Sequence, residues 1–327
     1  MSFIDTILGN PYILCIVGFL ALIKGGDFLV DGATAIARKA KISEMVIGLT
    51  IVGFGTSAPE LLVSLQAALE GSSGLAIGNV VGSNIANIAL ILGVSSLIIP
   101  CPVDHKTIRI DMPFMVLAVL AFSAVAMTGT ISRTAGIIGF LGLVAFVVWQ
   151  ISDSRKHQQA EAPAAENVKI MPLRRAIGYV LVGGFFLVFG ADSLIEGASK
   201  IARQLGEHFG TPADEVERII GLTIVAVGTS LPELFASVMA AIKGKTDMAI
   251  GNIIGSVTFN ILSVICLSSA ICPIHNSDVG FATDYLFMSV LAVILWIFLR
   301  TRYTLERWEG ALLFASYVGY IAFTVNN

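Results

Sequence analysis

Long apolar segments alternate with short polar ones along almost the whole chain of 327 residues. A helix needs roughly 20 apolar residues to cross a bilayer, and a single segment in lipid must satisfy its own backbone hydrogen bonds. Measured against that length, the pattern predicts an all-α membrane protein. Its ten transmembrane helices are expected near residues 10–34, 44–70, 75–100, 110–129, 133–152, 174–197, 216–242, 247–272, 281–300 and 306–325.

The composition agrees with lipid as the main solvent of the chain. Hydrophobic residues make up 56% of the sequence and charged residues 13%, whereas about 25% of the residues of a soluble domain are charged. The first apolar segment has no basic start, so we expect a retained span rather than a signal peptide. We therefore expect an integral protein of the cell (inner) membrane, with the lipid bilayer as a partner, no nucleic acid partner and no cofactor. The oligomeric state is left open.

One long polar segment, 152–172, interrupts the apolar pattern. It is rich in Ala, Glu, Gln and charge, and it predicts a mobile linker. The linker separates a first half, 1–151, from a second half, 173–327, each with five predicted helices. Because five is odd, the second half enters the membrane from the opposite side. The halves are therefore expected to have inverted topology, as in many transporters.

Basic residues are distributed unevenly over the predicted loops. One set of loops, which includes the linker, carries 15 Lys and Arg residues, and the other set carries four. Cytoplasmic loops are enriched in these residues. The distribution predicts a cytoplasmic linker and places both termini outside.

The two halves share an internal repeat. Residues 48–87 and 221–260 align without gaps, and 22 of the 40 positions are identical. Many matched positions are polar although the surrounding sequence is apolar. They are Thr56/Thr229, Ser57/Ser230, Pro59/Pro232, Glu60/Glu233, Ser64/Ser237, Asn79/Asn252, Ser83/Ser256 and Asn87/Asn260.

Each repeat carries one glutamate in the middle of a predicted span. An ionisable group at this depth is costly and is by default functional. Inverted halves would bring Glu60 and Glu233 to the same depth. Two neighbouring carboxylates repel each other and take up protons unless a cation neutralises them. We therefore predict that these two glutamates form a cation site.

A proline stands directly before each glutamate. Proline removes a backbone donor and frees a carbonyl about one turn earlier, and such loosened backbone is tolerated in a membrane where it faces protein or water. We expect the freed carbonyls, near Gly53 and Ala226, to be cation ligands. A simple kink without a ligand role is the alternative.

The other polar positions of each repeat share helix faces. On the second and seventh predicted spans they are Thr50, Ser57, Glu60 and Ser64, repeated as Thr223, Ser230, Glu233 and Ser237. On the third and eighth spans they are Asn79, Ser83 and Asn87, repeated as Asn252, Ser256 and Asn260. Such stripes either surround an ion or hold helices together by hydrogen bonds. We assign the second role to Ser64, Ser237 and Asn84.

Every ligand that these spans offer is an oxygen, and the four histidines fall in predicted loops or at their edges. Oxygen-only sites suit hard cations, and a flexible cage of about six to eight oxygens suits Ca²⁺ better than Mg²⁺. Na⁺ accepts the same ligands. Competition between Ca²⁺ and Na⁺ for one anionic centre is the simplest physical basis for exchange.

At these residues the sequence resembles the cation/calcium exchanger superfamily, and most closely its prokaryotic sodium/calcium exchanger type. The segments GTSAPE…GNVVGSNIAN and GTSLPE…GNIIGSVTFN look like the paired repeats of that family. The resemblance implies ten helices in two inverted halves that work by alternating access. It also implies that the second, third, seventh and eighth helices hold the ions.

Carried over to this sequence, the resemblance implies Glu60 and Glu233 as Ca²⁺ ligands, together with backbone oxygens of Thr56 and Thr229. Neutral oxygens around them would come from Thr56, Ser57, Thr229, Ser230, Ser83, Ser256 and Asn87. Asn260 departs from the prokaryotic members that have Asp at this position, which leaves a cage with two acidic groups and a neutral amide. Potassium-dependent members also place Asp there, so a potassium-dependent mode is less expected.

We therefore expect a secondary active antiporter that exchanges Na⁺ for Ca²⁺ without covalent chemistry. An H⁺/Ca²⁺ antiporter that uses the same glutamates is the alternative. A passive channel fits two inverted halves less well, and an intramembrane hydrolase would lack a histidine base in its spans. The glycine-rich faces of the first and sixth predicted spans either slide during transport or simply pack closely.

Overall fold

The computed structural model describes residues 10–160, 171–210, 212, 216, 220, 224, 226–275 and 281–326. Almost all of them are helical, as the long apolar segments predict. The helices are α1 Pro11–Ala40, α2 Glu44–Thr56, α3 Ala58–Leu69, α4 Ser73–Ile98, α5 Thr107–Ala126, α6 Arg133–Ala160, α7 Leu173–Phe209, α8 Leu231–Ile242, α9 Thr246–Ile271, α10 Ala282–Arg302 and α11 Arg307–Asn326. A short helical turn, Ala226–Gly228, precedes α8.

Within the described ranges, seven helices are long and apolar enough to cross a bilayer. The number is eight if α2 and α3, which meet at an angle of 47°, form one broken span. The prediction of a helical membrane protein is confirmed at this level. The count of ten stays a prediction, because part of the predicted span 216–242 lies outside the described residues and α8 alone has 12 residues.

The helix α6 extends beyond the predicted boundary at residue 152 and ends at Ala160. The carboxylate of Asp153 pairs with His157 one turn later, at 3.5 Å, and with Lys106 at 2.7 Å. Pairs at this i, i+4 spacing stabilise a helix. The first part of the segment predicted as a mobile linker is therefore helical, and its residues 161–170 lie outside the described part of the chain.

Two short strand pairs mark the two ends of the helix bundle. At one end β1 (Cys101–Pro102) pairs with β4 (Thr304–Leu305), and at the other end β2 (Thr130–Ile131) pairs with β3 (Ile274–His275). We call the first the linker end, because the last turns of α6 reach it. We call the second the far end.

The helices α1 and α7 pack antiparallel along most of their length. Glycines allow the two backbones to touch, as small residues do in many membrane helix pairs. An added Cβ would come within 3.0 Å of the facing helix at Gly18, Gly25, Gly32, Gly183, Gly190 and Gly197.

The helix α1 also packs against α8. The rings of Phe19 and Phe235 meet edge to face with their centroids 5.7 Å apart. An added Cβ at Gly26 would lie 2.8 Å from the carbonyl oxygen of Phe235 and 2.8 Å from the Met239 side chain. The contact between these helices is therefore made by backbone as well as side chains.

Ion pairs continue this contact at the linker end. Lys243, which follows α8, binds Asp27 and Asp31 of α1 with Nζ–Oδ1 distances of 2.5 and 2.6 Å. Lys245 pairs in the same way with Glu44 at the start of α2, at 2.5 Å. Burial opposes the charge on Lys243, but its hydrogen bonds to both aspartates outweigh burial and raise the pKa of its ammonium group. We call Lys243, Asp27 and Asp31 the ion-pair cluster.

The most buried of the apolar helices are α4 and α9. The first half's α2 lies directly on the backbone of α9. An added Cβ at Gly48 would lie 2.5 Å from the Met248 carbonyl oxygen, and one at Gly255 would meet the Leu49 carbonyl. This central packing fixes where the polar residues of the repeats come together.

Candidate cation site

Both repeated glutamates lie in the first turn of a helix that begins after a break. The helix α3 starts at Ala58, with Pro59 second and Glu60 third, and α8 starts at Leu231 in the same order. Proline suits a first turn, where its missing N–H would have no partner. The partial positive charge of a helix N-terminus favours a carboxylate. The Pro-Glu motif thus places each carboxylate at an interruption of the helix.

The prediction of a freed carbonyl at Gly53 needs correction. This carbonyl oxygen accepts hydrogen bonds from the backbone N–H of Ser57, at 3.1 Å, and from the Thr56 hydroxyl, at 3.3 Å. Pro59 instead removes the donor for the carbonyl four residues earlier, which belongs to Gly55. The loosened backbone therefore lies half a turn closer to the glutamate than the sequence alone indicated.

Glu60 and Glu233 are buried together. Their exposed fractions are 1% and 0%, and they lie close enough for their charges to interact. The Ser57 hydroxyl donates to Glu233 Oε1 at 3.4 Å. Among the described residues, the other three carboxylate oxygens have no hydrogen-bond partner. Burying an unpaired ionised group costs several kcal/mol, so this pair requires a cation or protons.

Two asparagines hold the glutamate-bearing helices in place. Asn79 Nδ2 donates to the Ser64 hydroxyl at 2.8 Å and to the Glu60 carbonyl oxygen at 3.3 Å. Asn252 makes the corresponding contacts in the second half, at 2.8 and 3.4 Å. The role in helix–helix hydrogen bonding that we assigned to Ser64 and Ser237 agrees with these contacts.

The hydroxyl of Thr56 links the break in the first half to α9. Its Oγ1 lies 3.3 Å from Asn252 Oδ1 and 3.4 Å from Ser256 Oγ, and it donates to the Val52 carbonyl oxygen at 3.1 Å. Ser83 of α4 lies beside the carboxylate of Glu60. Hydroxyls of the first half therefore border the carboxylate pair, and Ser256 of the second half contacts one of them, that of Thr56.

Each of the two central helices contains a π-helical turn, Ala86–Ile91 in α4 and Asn260–Ile265 in α9. Asn87 and Asn260 lie at the start of these turns and are fully buried. Asn260 Nδ2 donates to Asn84 Oδ1 at 3.1 Å. In the described part of the chain, Asn260 Oδ1 and both polar atoms of the Asn87 side chain lack a hydrogen-bond partner. Such turns occur frequently at functional sites.

The remaining predicted site residues differ in their burial and in the contacts that they make. Ser230 is buried directly before α8, and Thr229 is half-buried in the turn before it. Thr50 donates to a carbonyl of its own helix at 2.6 Å, so its hydroxyl is committed there. Thr223 and the side chain of Ala226 lie outside the described residues.

No group of three or more His, Cys, Asp or Glu side chains in the described ranges is arranged to hold a metal ion. The candidate site instead combines two carboxylates with hydroxyl, amide and carbonyl oxygens. Hard cations accept such a ligand set. The predicted oxygen-only chemistry therefore agrees with the residues that the fold brings together.

A cavity of about 470 Å³ leads from the far end toward this site. Ser83, which lies beside Glu60, and Thr229, in the turn before α8, line its inner part. Phe281 and Asp284 at the start of α10 and Thr324 near the end of α11 also line it. We call this cavity the vestibule.

The chain is similar to known membrane transport proteins over nearly its whole length. The profile of the family described as sodium/calcium exchanger protein matches residues 10–152 and 175–326. The putative antiporter CaxA of Alkalimonas amylolytica is 37% identical over 316 residues, which cover 94% of this chain and 96% of CaxA. The sodium/calcium exchanger MaX1 of Methanosarcina acetivorans is 32% identical over 343 residues, covering 95% of this chain and 97% of MaX1.

A solved structure of the sodium-calcium exchanger NCX_Mj has the same fold. The two superpose with a TM-score of 0.81 at 28% sequence identity, over 96% of this chain and 98% of the other. Together with the apolar helices, these similarities define an integral membrane protein of the antiporter class rather than an enzyme. The chain belongs to the sodium/calcium exchanger family.

Proposed function

We propose that this protein exchanges Na⁺ for Ca²⁺ across the cell membrane, and that both ions compete for the site between Glu60 and Glu233. The observation that carries the proposal is the buried carboxylate pair, in which three of the four oxygens have no hydrogen-bond partner among the described residues. Either one Ca²⁺ or several Na⁺ ions can balance two negative charges. The relatives named as sodium/calcium exchangers support this choice of ions.

The neutral ligands come from both halves of the chain. Thr56 and Ser57 approach from the break between α2 and α3, and Ser83 from α4. Thr229, Ser230, Ser256, Asn87 and Asn260 complete the proposed ligand set, with backbone oxygens of Thr56 and Thr229 at the two breaks. A cage of this kind is flexible in size, which suits Ca²⁺ and Na⁺ better than Mg²⁺.

Transport would proceed by alternating access in a ten-helix fold made of two inverted halves. The antiparallel contact between α1 and α7 supports this arrangement, because inverted halves place their first helices in opposite directions. The vestibule reaches the site from the far end, whereas α1, α8 and the ion-pair cluster close the linker end. With the linker in the cytoplasm and both termini outside, this is an outward-facing arrangement.

The test is Na⁺-driven Ca²⁺ uptake into vesicles that contain the purified protein. Glu60→Gln and Glu233→Gln should each abolish uptake, because an amide keeps the side-chain shape but cannot balance the cation. The exposed Glu70 provides a matched control, and Glu70→Gln should retain uptake. Near-normal uptake in both site variants would reject the assignment.

Protons are the alternative driving ion. When a cation leaves the site, the unpartnered carboxylate oxygens can take up protons instead. The same glutamates would therefore serve an H⁺/Ca²⁺ antiporter. A pH gradient imposed without Na⁺ separates the two functions. Na⁺/Ca²⁺ exchange predicts Ca²⁺ uptake with a Na⁺ gradient and none with the pH gradient, and the opposite result establishes the proton-coupled function.

A further inference from the structure

Two aspartates outside the central site occupy matching positions in the two halves. Asp111 begins the sequence DMPFM near the start of α5, and Asp284 begins DYLFM near the start of α10, 173 positions later. This offset is the same as that of the repeats, although both aspartates lie outside them.

The surroundings of the two aspartates are also built alike. Three residues after Asp111, the Phe114 ring stacks on Phe146 of α6, with centroids 3.8 Å apart. Three residues after Asp284, Phe287 stacks on Tyr320 of α11, with centroids 4.9 Å apart. Each aspartate therefore faces the last helix of its own half, and the two lie at opposite ends of the bundle.

The same helices supply a hydrogen-bond donor to each carboxylate. The Gln150 amide of α6 donates to Asp111, and the Tyr320 hydroxyl of α11 donates to Asp284 at 3.0 Å. One neutral donor positions a carboxylate without neutralising its charge. The negative charge of Asp284 is therefore left for another partner, whereas Asp111 lies close enough to Lys106 for their charges to interact.

The two aspartates differ in their access to solvent. Asp111 is 2% exposed and Gln150 is 1% exposed, so this position is sealed at the linker end. Asp284 is half-buried and lines the vestibule, which also reaches Ser83 and Thr229. The inaccessible aspartate, Asp111, thus lies at the closed end of the bundle, and the accessible one, Asp284, lies at the open end.

Asp284 is the one acidic side chain among the described residues that line the vestibule, and none of those residues is Lys, Arg or His. Most of the wall is apolar. A carboxylate beside low-dielectric walls attracts cations more strongly than one in open water. Oxygens of Tyr320, Thr324 and Asn79 lie along the same wall and can replace part of a cation's hydration shell.

We propose that Asp284 forms a second cation site, at the mouth of the vestibule, which takes hard cations and favours Ca²⁺ over Na⁺ by charge. Asp111 is its counterpart at the linker end and becomes accessible when that end opens. The passage of ions from these positions to Glu60 and Glu233 rests on the proposed exchange function, whereas binding at Asp284 does not.

The charge of Asp284 predicts how strongly its removal affects the half-saturating concentrations of Ca²⁺ and Na⁺. A divalent ion gains twice the electrostatic energy of a monovalent ion in the same field, so the fold-change for Ca²⁺ is the square of that for Na⁺. If Asp284→Asn raises the half-saturating Na⁺ concentration about 3-fold, it raises that of Ca²⁺ about 10-fold, within the range known for electrostatic steering. Maximal turnover stays close to that of the unmodified protein.

The first experiment measures half-saturation separately at each face of oriented vesicles. Asp284→Asn should weaken Ca²⁺ only at the far-end face, and Asp111→Asn only at the linker-end face. Glu207→Gln, at an exposed carboxylate on α7 that does not line the vestibule, is the control and should change neither. Unchanged half-saturation in Asp284→Asn, or an equal change at both faces, would overturn the proposal.

The second experiment detects binding without transport. Tyr317 and Tyr320 line the vestibule, so Tb³⁺ bound near Asp284 gives luminescence on tyrosine excitation. In a protein with both Glu60→Gln and Glu233→Gln, this signal should persist, be displaced by Ca²⁺, and fall at least several-fold when Asp284→Asn is added. A signal that Asp284→Asn leaves unchanged rejects the vestibule site, even if the central glutamates prove to drive exchange.

Discussion

Helix surfaces that correspond through the internal repeat are covered toward the linker end of this protein and exposed toward the far end. Phe235 lies on α8, the helix that runs from the site toward the linker end, and it packs on Phe19 of α1. The repeat places Leu62 of α3 where α8 has Phe235, and Leu62 is 69% exposed. The same α-helical surface is thus covered in one half and open in the other. Under the proposed alternating access, this difference would decide which side of the membrane reaches the proposed ion site.

The charged residues also differ between the linker end and the far end. At the linker end, Lys243 binds Asp27 and Asp31. The repeat places Glu70 at the position of Lys243, and α7 carries Asp192 and Glu196 at the positions of the two aspartates. The covered end is therefore held by opposite charges. Closing the far end would bring Glu70 toward Asp192 and Glu196, and Glu196 already pairs with Lys200 at 2.7 Å, so Asp192 carries most of the repulsion. Like charges at short range oppose closure.

The largest effect is expected from glycines that occupy matching positions in the two halves. Gly255→Ala would force a Cβ against the Leu49 carbonyl, whereas among the described residues a Cβ at Gly82 meets nothing within 4 Å. We expect Gly255→Ala to destabilise the protein by about 1–3 kcal/mol and Gly82→Ala to stay within about 0.5 kcal/mol. Thermal unfolding in detergent measures both. Equal shifts of the two unfolding midpoints would show that the halves pack alike.

An intermediate effect is expected when the ion-pair cluster is broken. Lys243→Gln removes contacts to two carboxylates, which we estimate at about 1 kcal/mol, or about 5-fold in the balance between conformations. The linker end should open more often. A cysteine placed at Ala35, which lines a small cavity beside the cluster, should then react faster with an impermeant maleimide in a background without the natural cysteines.

The exposed Lys39 is the control for that measurement, and Lys39→Gln should leave the labelling rate unchanged. The account of the linker end fails if Lys243→Gln and Lys39→Gln label at the same rate as the parent.

The smallest effect is expected from copying the linker-end charge to the far end. Glu70→Lys would place an ammonium group where Asp192 and Glu196 can bind it when the far end closes. Exposed ion pairs contribute about 0.2–1 kcal/mol, so the half-saturating Ca²⁺ concentration at the far-end face should rise about 2-fold to 4-fold. High salt should remove the increase. An increase that persists in high salt would indicate a cause other than charge.

The internal repeat is the reason why much of the site is predictable from sequence. Matching Pro-Glu motifs in apolar spans indicate the two breaks and the two carboxylates, and the structure places Glu60 and Glu233 together. The class of fold follows equally well from the apolar segments, because lipid leaves a chain few alternatives to helices.

Other features depend on packing that the sequence does not show locally. The predicted polar stripe assumes a regular helix, but a π-helical turn at Gly48–Val52 and the bend after Thr56 change the course of the stripe. The Thr50 hydroxyl bonds to a carbonyl of its own helix, as Ser and Thr side chains in helices can. The part of α6 beyond residue 152 carries an ion pair of Asp153 with Lys106, which is distant in sequence.

Asp111 and Asp284 were missed for a different reason. Each stands outside the 40-residue repeat, and the shared Asp-x-x-Phe-Met pattern is short. Extending the comparison of the halves at the same offset of 173 positions would have found them.

Equilibrium binding of Ca²⁺ to the purified protein tests the two-glutamate site most directly. In an Asp284→Asn background, which removes the proposed vestibule site, the account predicts one class of Ca²⁺ that Na⁺ displaces, and predicts its loss when either Glu60→Gln or Glu233→Gln is added. Full, Na⁺-displaceable Ca²⁺ binding in either variant would contradict it.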